Sequence, residues 1–280
     1  MRWFLHGLFF LLLGCSSVFY QPSRQQFIDP ARFQLAYQDV WFTAKDGIKL
    51  HGWFFPAQGK LSAVKGTVVQ FHGNAENIST HFMSLVWLTT AGYNLFTFDY
   101  RGYGKSEGRA TQEGTYLDAL AAIAQAKEFH DQHGKGHFII YGQSTGGIIS
   151  LRALVDAPQA SMVTLFVQDA SYASYQKIAF EKLKSSWVLF PFSPLAFLLI
   201  SDEYAAEKIL EKIHQPTLVI AGKNDRVIPA HFGKKIYRGI NSDQKWWWKL
   251  PEGGHIDTFH HDQGRWRKNF LELLDRLSTK

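Results

Sequence analysis

The stretch IIYGQSTGGI, residues Ile139–Ile148, decides the fold. An apolar, β-branched run leads into the pattern G-x-S-x-G, and a helical pattern follows it. A serine on so tight a strand-to-helix turn adopts strained backbone angles, so Gly142 and Gly146 are needed to relieve crowding. The turn exposes the Ser144 hydroxyl and places the Thr145 N–H at a helix start. We therefore predict Ser144 as a nucleophile, with a structural glycine-rich turn as the alternative interpretation.

Short apolar segments recur on both sides of this turn. An Asp46-Gly47 pair between two apolar runs, the second from Ile48 to Phe55, predicts an antiparallel hairpin beginning near Tyr37. Six further segments are predicted strands: Thr67–Phe71, Asn94–Asp99, His137–Tyr141, Thr164–Gln168, Thr217–Ala221 and Lys245–Leu250. Helical patterns such as Thr115–His130 lie between them. This alternation predicts an α/β fold, a mostly parallel mixed sheet with helices on both faces.

A serine hydroxyl needs a base, and the base needs a group that orients it. Two downstream strands run into loops that carry such groups, Asp225 in GKNDRV and His255 in PEGGHID. Both residues follow strand ends, where ligands bind in open α/β sheets. We predict Asp225 as the acid and His255 as the base, with Asp169 as the alternative acid. The nearby His260 and His261 match no common metal signature and are interpreted as surface residues.

An oxyanion formed at the serine needs a second N–H donor from the loop after an earlier strand. The segment VQFHGNAEN, Val69–Asn77, is a strand that runs into His72-Gly73. Gly73 allows the backbone to bend, so we predict that the Asn74 N–H points at the site together with that of Thr145. His72 precedes the serine and is interpreted as a residue that holds this loop by hydrogen bonds.

The composition restricts the class of protein. The 280 residues are 46% hydrophobic and 19% charged, which favours a single globular catalytic domain and excludes extensive disorder. The net charge of +6 gathers into no long basic run, so no nucleic-acid partner is expected. A single cysteine excludes a disulfide framework and a multi-cysteine metal site. We expect no metal ion and no organic cofactor.

The N-terminus has the pattern of a targeting segment. Met1-Arg2 is a positive start, Trp3–Leu13 is apolar, and the run ends in LLGC at Cys15. It looks like a bacterial lipobox, which predicts a signal peptide over 1–14, a lipidated Cys15 and a tether over 15–36 before a domain over 37–280. An uncleaved hydrophobic anchor extended to Tyr20 is the alternative. Either form attaches the chain to a membrane, and the expected location is the bacterial cell envelope, with the outer membrane favoured.

The alternation of predicted strands and helices is interrupted once. More than forty residues separate Gln168 from Thr217, although a crossover needs only about a dozen. This interval contains the apolar, proline-broken run SWVLFPFSPLAFLLI, Ser186–Ile200. We predict a lid over the active site at about 172–212. An extra helix pair packed on the core is the alternative.

Several motifs occur together in the order found in one known family. They are HGNAEN at His72–Asn77, DYRGYGKSEG at Asp99–Gly108, the serine turn, the Asp225 loop and Gly254-His255. Over about residues 38–278 the sequence resembles the membrane-associated serine hydrolases of the α/β-hydrolase superfamily, a group that includes protein-depalmitoylating and lysophospholipid-hydrolysing members. The resemblance implies that the loop Arg101–Ser106 lies beside the active site. We treat Asp99 and Arg101 as structural.

These residues together predict a serine hydrolase that cleaves a carboxylic ester or thioester of a small molecule through an acyl-serine. The apolar lid and the membrane tether favour substrates with acyl chains. A short-chain carboxylesterase or a peptidase on the same fold is the alternative enzyme. A non-catalytic binding protein is the alternative from another functional class. Such a protein would be expected to lack one of Ser144, Asp225 and His255. The sequence does not indicate an oligomeric state.

Overall fold

The computed structural model describes residues 19–58, 64–133, 136–260 and 262–278. The predicted signal peptide, Cys15 and His261 lie outside these ranges, and the predicted tether is described only from Phe19 onward. No helix within the described ranges is long and apolar enough to cross a membrane.

The strands form at the predicted segments, together with two short additional strands, Gln21–Pro22 and Ala75–Glu76. They are β1 Gln21–Pro22, β2 Gln38–Thr43, β3 Lys49–Phe55, β4 Gly66–Phe71, β5 Ala75–Glu76, β6 Tyr93–Asp99, β7 His137–Gln143, β8 Leu165–Asp169, β9 Thr217–Gly222 and β10 Lys245–Leu250. Eight of them form one sheet in the order β10-β9-β8-β7-β4-β6-β3-β2. The β2–β3 and β3–β6 pairs are antiparallel, and the remaining pairs are parallel. The predicted mixed, mostly parallel sheet is confirmed.

Helices connect the parallel strands. The α-helices of the described residues are α1 Ile78–His81, α2 Trp87–Thr90, α3 Gln112–His133, α4 Thr145–Asp156, α5 Tyr175–Lys184, α6 Ala196–Leu199, α7 Ala230–Gly239 and α8 Arg265–Ser278. Short 3-10 helices lie at Pro30–Phe33, Phe82–Ser84, Ala160–Met162, Phe190–Leu195, Glu207–Lys212 and Asp262–Gly264. The interval predicted as a lid therefore contains α5, α6 and two of the 3-10 helices.

The core has two halves, one on each face of the sheet. Successive strand residues point to opposite faces, so Ile140 packs in the half that includes α3 and α4, and Ile139 packs in the half that includes α8. All residues of β7 are buried, as expected for a central strand covered on both faces. Ser144 directly follows this strand and is therefore positioned by the centre of the sheet.

The turn after β7 is crowded by backbone on several sides. A Cβ added at Gly146 would collide with the carbonyl oxygens of Phe71 and His72, and one added at Gly142 would collide with Ser150 and Gly147. The predicted need for small residues at both positions is confirmed, because β4 and α4 approach the turn too closely for a side chain.

We expect Gly146→Ala to lower the free energy of unfolding by about 1–3 kcal/mol, because backbone atoms must shift to admit the methyl group. Chemical denaturation followed by circular dichroism measures this change. Gly73→Ala is the control, since its added carbon would meet its nearest neighbour, His81 Cε1, at 3.3 Å. Equal losses in the two variants would contradict the crowding explanation.

Candidate active site

Ser144 sits on a strained turn directly after β7. Its backbone angles are φ 52° and ψ −118°, in a region that residues other than glycine rarely adopt. Its N–H donates to the carbonyl of Asp169 at 2.9 Å, and its own carbonyl accepts from the Gly147 N–H at 3.0 Å and from Ser171 Oγ at 3.1 Å. These hydrogen bonds hold the strained conformation between β8 and the first turn of α4.

Asp225 and His255 are hydrogen-bonded to each other. The distance from His255 Nδ1 to Asp225 Oδ2 is 2.9 Å. The other carboxylate oxygen, Oδ1, accepts from the N–H groups of Val227 at 2.7 Å and Ile228 at 2.8 Å, which fixes the carboxylate. A carboxylate oxygen accepts, so Nδ1 is the donor and Nε2 keeps its lone pair for another group. The Asp225 side chain is fully buried, whereas that of His255 is 22% exposed.

Asp169, the alternative acid, has different partners. Its Oδ2 accepts from the Tyr141 hydroxyl at 2.9 Å, and its Oδ1 accepts from Thr258 Oγ1 at 3.0 Å. Burial raises the pKa of this carboxyl to about 6. Both oxygens thus accept from hydroxyl donors, and it is Asp225 that accepts the hydrogen bond from His255.

The Asn74 loop adjoins Ser144. A cavity of about 90 Å³ is lined by Ser144, Asn74, Thr145 and Tyr172 together with apolar residues. Thr145 is the first residue of α4, and the first N–H groups of a helix have no intrahelical acceptor. Among the described residues, no acceptor is recorded for the N–H of Asn74 or of Thr145. Both donors are therefore available beside the serine.

His72 does not act as a second base in this arrangement. The ring is completely buried, and its Nδ1 donates to the Gly73 carbonyl at 2.8 Å. Burial holds the pKa of His72 well below its usual range, so the ring stays neutral. Its hydrogen bond braces the bend at Gly73, in agreement with the predicted structural role.

Asp99 and Arg101 are likewise held in structural contacts. Asp99 Oδ1 accepts from the Ile78 N–H at 2.9 Å and so holds the start of α1. The Arg101 guanidinium pairs with Asp118 at 2.8 Å and with Asp46 at 2.7 Å. These contacts tie the loop after β6 to α3 and to the β2–β3 hairpin, in agreement with the structural interpretation.

The serine and histidine loops converge on Gly73. A Cβ placed at Gly73 would lie 3.8 Å from Ser144 Cβ and 3.5 Å from Ile256 Cδ1, the residue after His255. No hydrogen bond between Ser144 Oγ and His255 Nε2 is recorded among the described residues. Catalytic hydrogen bonds of this kind commonly tighten only when substrate is bound.

Two contributors to the site were missed by the sequence analysis. The segment around β1 pairs in parallel with β5, and the Gln21 N–H donates to the Asn74 carbonyl at 2.8 Å. Tyr172 lines the cavity, and its hydroxyl lies 3.1 Å from Thr145 Oγ1. Tyr172 follows the end of β8, so the rule that ligands bind beyond strand ends could have found it. A two-residue strand leaves no periodic signal in the sequence.

The chain is similar to known proteins in sequence and in fold. The model of the family described as "Serine aminopeptidase, S33" matches residues 62–190. YfhR of Escherichia coli O157:H7, an uncharacterised protein, is 33% identical over 229 residues, which cover 81% of this chain and 76% of YfhR. The α/β-hydrolase domain-containing protein WAV2 of Arabidopsis thaliana is 27% identical over 269 residues, 90% of this chain and 83% of WAV2.

The chain belongs to the α/β-hydrolase superfamily. Its fold is also that of the Pyrococcus furiosus esterase Pf2001, with a TM-score of 0.74, 22% identity, and coverage of 93% of this chain and 98% of the esterase. Acetyl xylan esterase 1 from a Thermoanaerobacterium species shares the fold with a TM-score of 0.63 and 17% identity, over 95% of this chain and 92% of that enzyme. The family model and WAV2 support a hydrolase, and the two esterase structures show the shared fold.

For this α/β hydrolase we expect Asp225→Asn to lower kcat by about 10³- to 10⁴-fold, because an asparagine leaves the His255 ring without its orienting acceptor. Asp169→Asn is the matched control, since Asp169 is a buried acid at the end of the neighbouring strand. It should lower kcat far less. Steady-state hydrolysis of a p-nitrophenyl ester measures both variants, and the reverse order of losses would make Asp169 the orienting acid.

Proposed function

We propose that the protein is a serine hydrolase that cleaves carboxylic esters or thioesters through an acyl-serine intermediate. The observation that carries the proposal is the strained Ser144 beside a cavity, together with the 2.9 Å hydrogen bond between His255 and Asp225 on the adjoining loops. A nucleophile, a base and an orienting acid lie beyond the carboxyl-terminal ends of parallel strands of the same sheet. Acyl transfer requires these three groups.

The proposed reaction has two steps. His255 Nε2 takes the proton from Ser144 Oγ as the oxygen attacks the substrate carbonyl, and Asp225 stabilises the imidazolium that forms. The protonated ring then gives this proton to the leaving alcohol or thiol. In the second step His255 takes a proton from water as the water oxygen attacks the acyl-serine carbonyl. The ring then returns that proton to Ser144 Oγ as the bond from this oxygen to the acyl carbon breaks, which releases the acid product and restores the serine.

The N–H groups of Asn74 and Thr145 would stabilise the negative oxygen of both tetrahedral intermediates. The Asn74 backbone is held by other segments: its carbonyl accepts from the Gln21 N–H at 2.8 Å and from the Tyr103 hydroxyl at 2.7 Å. Donors fixed in advance need no reorganisation during the reaction, and one of them typically contributes about 3 kcal/mol.

The lining of the cavity supports an acyl group as the part of the substrate that is bound. Its apolar members are Phe19, Ile178, Ala179, Val227 and Ile228. Lys182 is the charged residue among the described lining residues, and no carboxylate is among them. An aminopeptidase needs an anionic group for the free amine of its substrate, so this lining favours an ester or thioester over an amino-terminal peptide bond.

The N-terminal pattern supports attachment of this enzyme to a membrane through lipidated Cys15, in the bacterial cell envelope. A substrate with an acyl chain is then present at the same location as the enzyme. An acyl lipid, a lysophospholipid or an acyl thioester is the proposed substrate class, and a short-chain carboxylesterase is the alternative.

We expect a fluorophosphonate probe to label the wild-type protein and not Ser144→Ala, because only an activated serine attacks phosphorus. Ser242→Ala, which removes a serine hydroxyl in the loop before β10, is the control and should still be labelled. In parallel, p-nitrophenyl esters of graded chain length should be hydrolysed at least about 100-fold faster than amino-acid p-nitroanilides. An unlabelled wild type would refute the serine hydrolase, and preferred anilide hydrolysis would favour the peptidase.

We expect Cys15→Ser to release the protein from membranes, because the thiol that carries the lipid is gone. Ultracentrifugation of cell extracts, with immunodetection of the pellet and the supernatant, measures the change. Ser16→Ala is the matched control and should stay in the pellet. Tight binding of Cys15→Ser would instead indicate an uncleaved hydrophobic anchor.

A further inference from the structure

The segment Ser185–Ser201 presents an apolar surface to the outside of the molecule. It contains no charged residue. Its large apolar side chains are exposed by the following fractions: Trp187 91%, Val188 54%, Leu189 44%, Phe190 54%, Phe192 55%, Leu195 42%, Phe197 47%, Leu198 78% and Leu199 37%. Soluble monomers rarely expose so many large apolar side chains together, and such patches mark interaction sites. We call this segment the apolar surface segment.

The apolar surface segment has an ordered backbone that packs on α5. The Phe197 ring lies 5.2 Å from that of Phe180. Gln176 Nε2 donates to the Ile200 carbonyl at 2.8 Å and to the Phe197 carbonyl at 3.3 Å. Ser193 and Ala196 are buried, which anchors the middle of the segment. The exposed side chains are therefore displayed by a supported structure, not by a free loop.

Helix α5 also connects this surface to the catalytic cavity. Ile178, Ala179 and Lys182 of the helix line the cavity at Ser144. One helix thus has the nucleophile's cavity on one side and the apolar surface segment on the other.

The N-terminal part of the chain reaches the same helix. The Phe19 ring lies 5.0 Å from that of Tyr175, the first residue of α5, and the Tyr20 and Tyr175 hydroxyls are 3.3 Å apart. Tyr175 is the neighbour of Gln176, which bonds the apolar surface segment. The apolar run Trp3–Leu13 therefore joins the described chain a few residues before a contact with the first residue of the helix that carries this surface.

Positive charges adjoin the surface. Lys182 and Lys184 are exposed at the end of α5, directly before the segment. Lys182 Nζ donates to the carbonyl of Arg226, another exposed cation, at 3.2 Å. Two acids follow the segment: the half-buried Asp202 accepts from Ser174 Oγ at 2.6 Å and from the Gln176 N–H at 3.1 Å, and Glu203 is exposed, so exposed cations outnumber exposed acids here. Exposed cations beside a tryptophan-containing apolar surface match the headgroup and acyl boundary of an anionic bilayer.

We propose that the apolar surface segment lies in the interfacial region of an anionic lipid bilayer and holds the Ser144 cavity at the membrane surface. The flanking cations and the entry of the N-terminal segment beside Tyr175 favour a bilayer over a second copy of the chain. Delivery of an acyl-chain substrate from the bilayer rests on the proposed function, whereas the membrane contact itself does not.

Tryptophan quenching tests the contact. The full-length protein is reconstituted into vesicles of phosphatidylcholine and phosphatidylglycerol, with bromine on the phosphatidylcholine acyl chains. We expect Trp187→Phe to lose part of the quenchable emission, and Trp41→Phe, which removes a tryptophan that is 46% exposed, to lose none. Any tryptophan of the N-terminal segment is quenched equally in the wild type and in both variants, so it does not affect the difference between them. Equal quenched emission in wild type and Trp187→Phe would overturn the proposal.

A matched pair of serine substitutions tests the functional consequence. Phe192 and Phe33 are exposed by 55% and 52%, so Phe192→Ser and Phe33→Ser remove similar side chains. We expect Phe192→Ser to lower hydrolysis of a long-chain ester embedded in vesicles by about tenfold, with hydrolysis of soluble p-nitrophenyl acetate unchanged. Phe33→Ser should alter neither rate.

The two experiments separate the possible failures. Absent hydrolysis of the soluble ester by the wild type would refute the proposed function while the quenching result stands. Equal vesicle rates for Phe192→Ser and Phe33→Ser would overturn delivery from the bilayer. A detergent-solubilised dimer that Phe192→Ser converts to a monomer, measured by light scattering, would overturn the proposal in favour of a second copy.

Discussion

The backbone of Ser144 is the constraint on which the arrangement of the site depends. A residue with a side chain at φ 52° is held there only because the surroundings permit nothing else. The carbonyls of Phe71 and His72 close off one side of the turn at Gly146, and the carbonyl of Asp169 accepts the Ser144 N–H on another. Strands β4 and β8, the two neighbours of β7, thus fix the direction of one hydroxyl.

The two acids at neighbouring strand ends show how hydrogen bonds divide their roles. Asp225 receives two backbone N–H donors and the His255 ring, all of which stabilise a carboxylate. Asp169 lies in a fully buried position with two hydroxyl donors, and burial raises its pKa. Asp225 is therefore paired with an imidazole ring, whereas Asp169 belongs to a buried network that joins β7, β8 and the loop containing Thr258.

Much of the fold and of the site could be predicted from the sequence, because apolar strands, glycine-dependent turns and chain order leave direct signals. The sequence favoured Asp225 as the acid but left Asp169 as an alternative, because both follow strands and only the hydrogen bonds separate them. The exposure of Ser185–Ser201 could not be predicted either, because an apolar run in the sequence is compatible with a buried core segment and with an exposed surface segment. The contact of Gln21 with Asn74 depends on a parallel pairing between residues far apart in the chain.

This pairing makes the segment before the main sheet a wall of the site. Gln21–Pro22 extends the Asn74 loop as a second small sheet, and Asn77 Nδ2 donates to the carbonyls of Ser23 at 2.9 Å and Gln25 at 2.7 Å. Phe19 completes the cavity lining. A shortened version of the protein that starts at the first long strand, β2, would therefore lose Phe19 from the cavity wall and the Gln21 support of the Asn74 loop, so protein engineers should cut the chain upstream of Phe19.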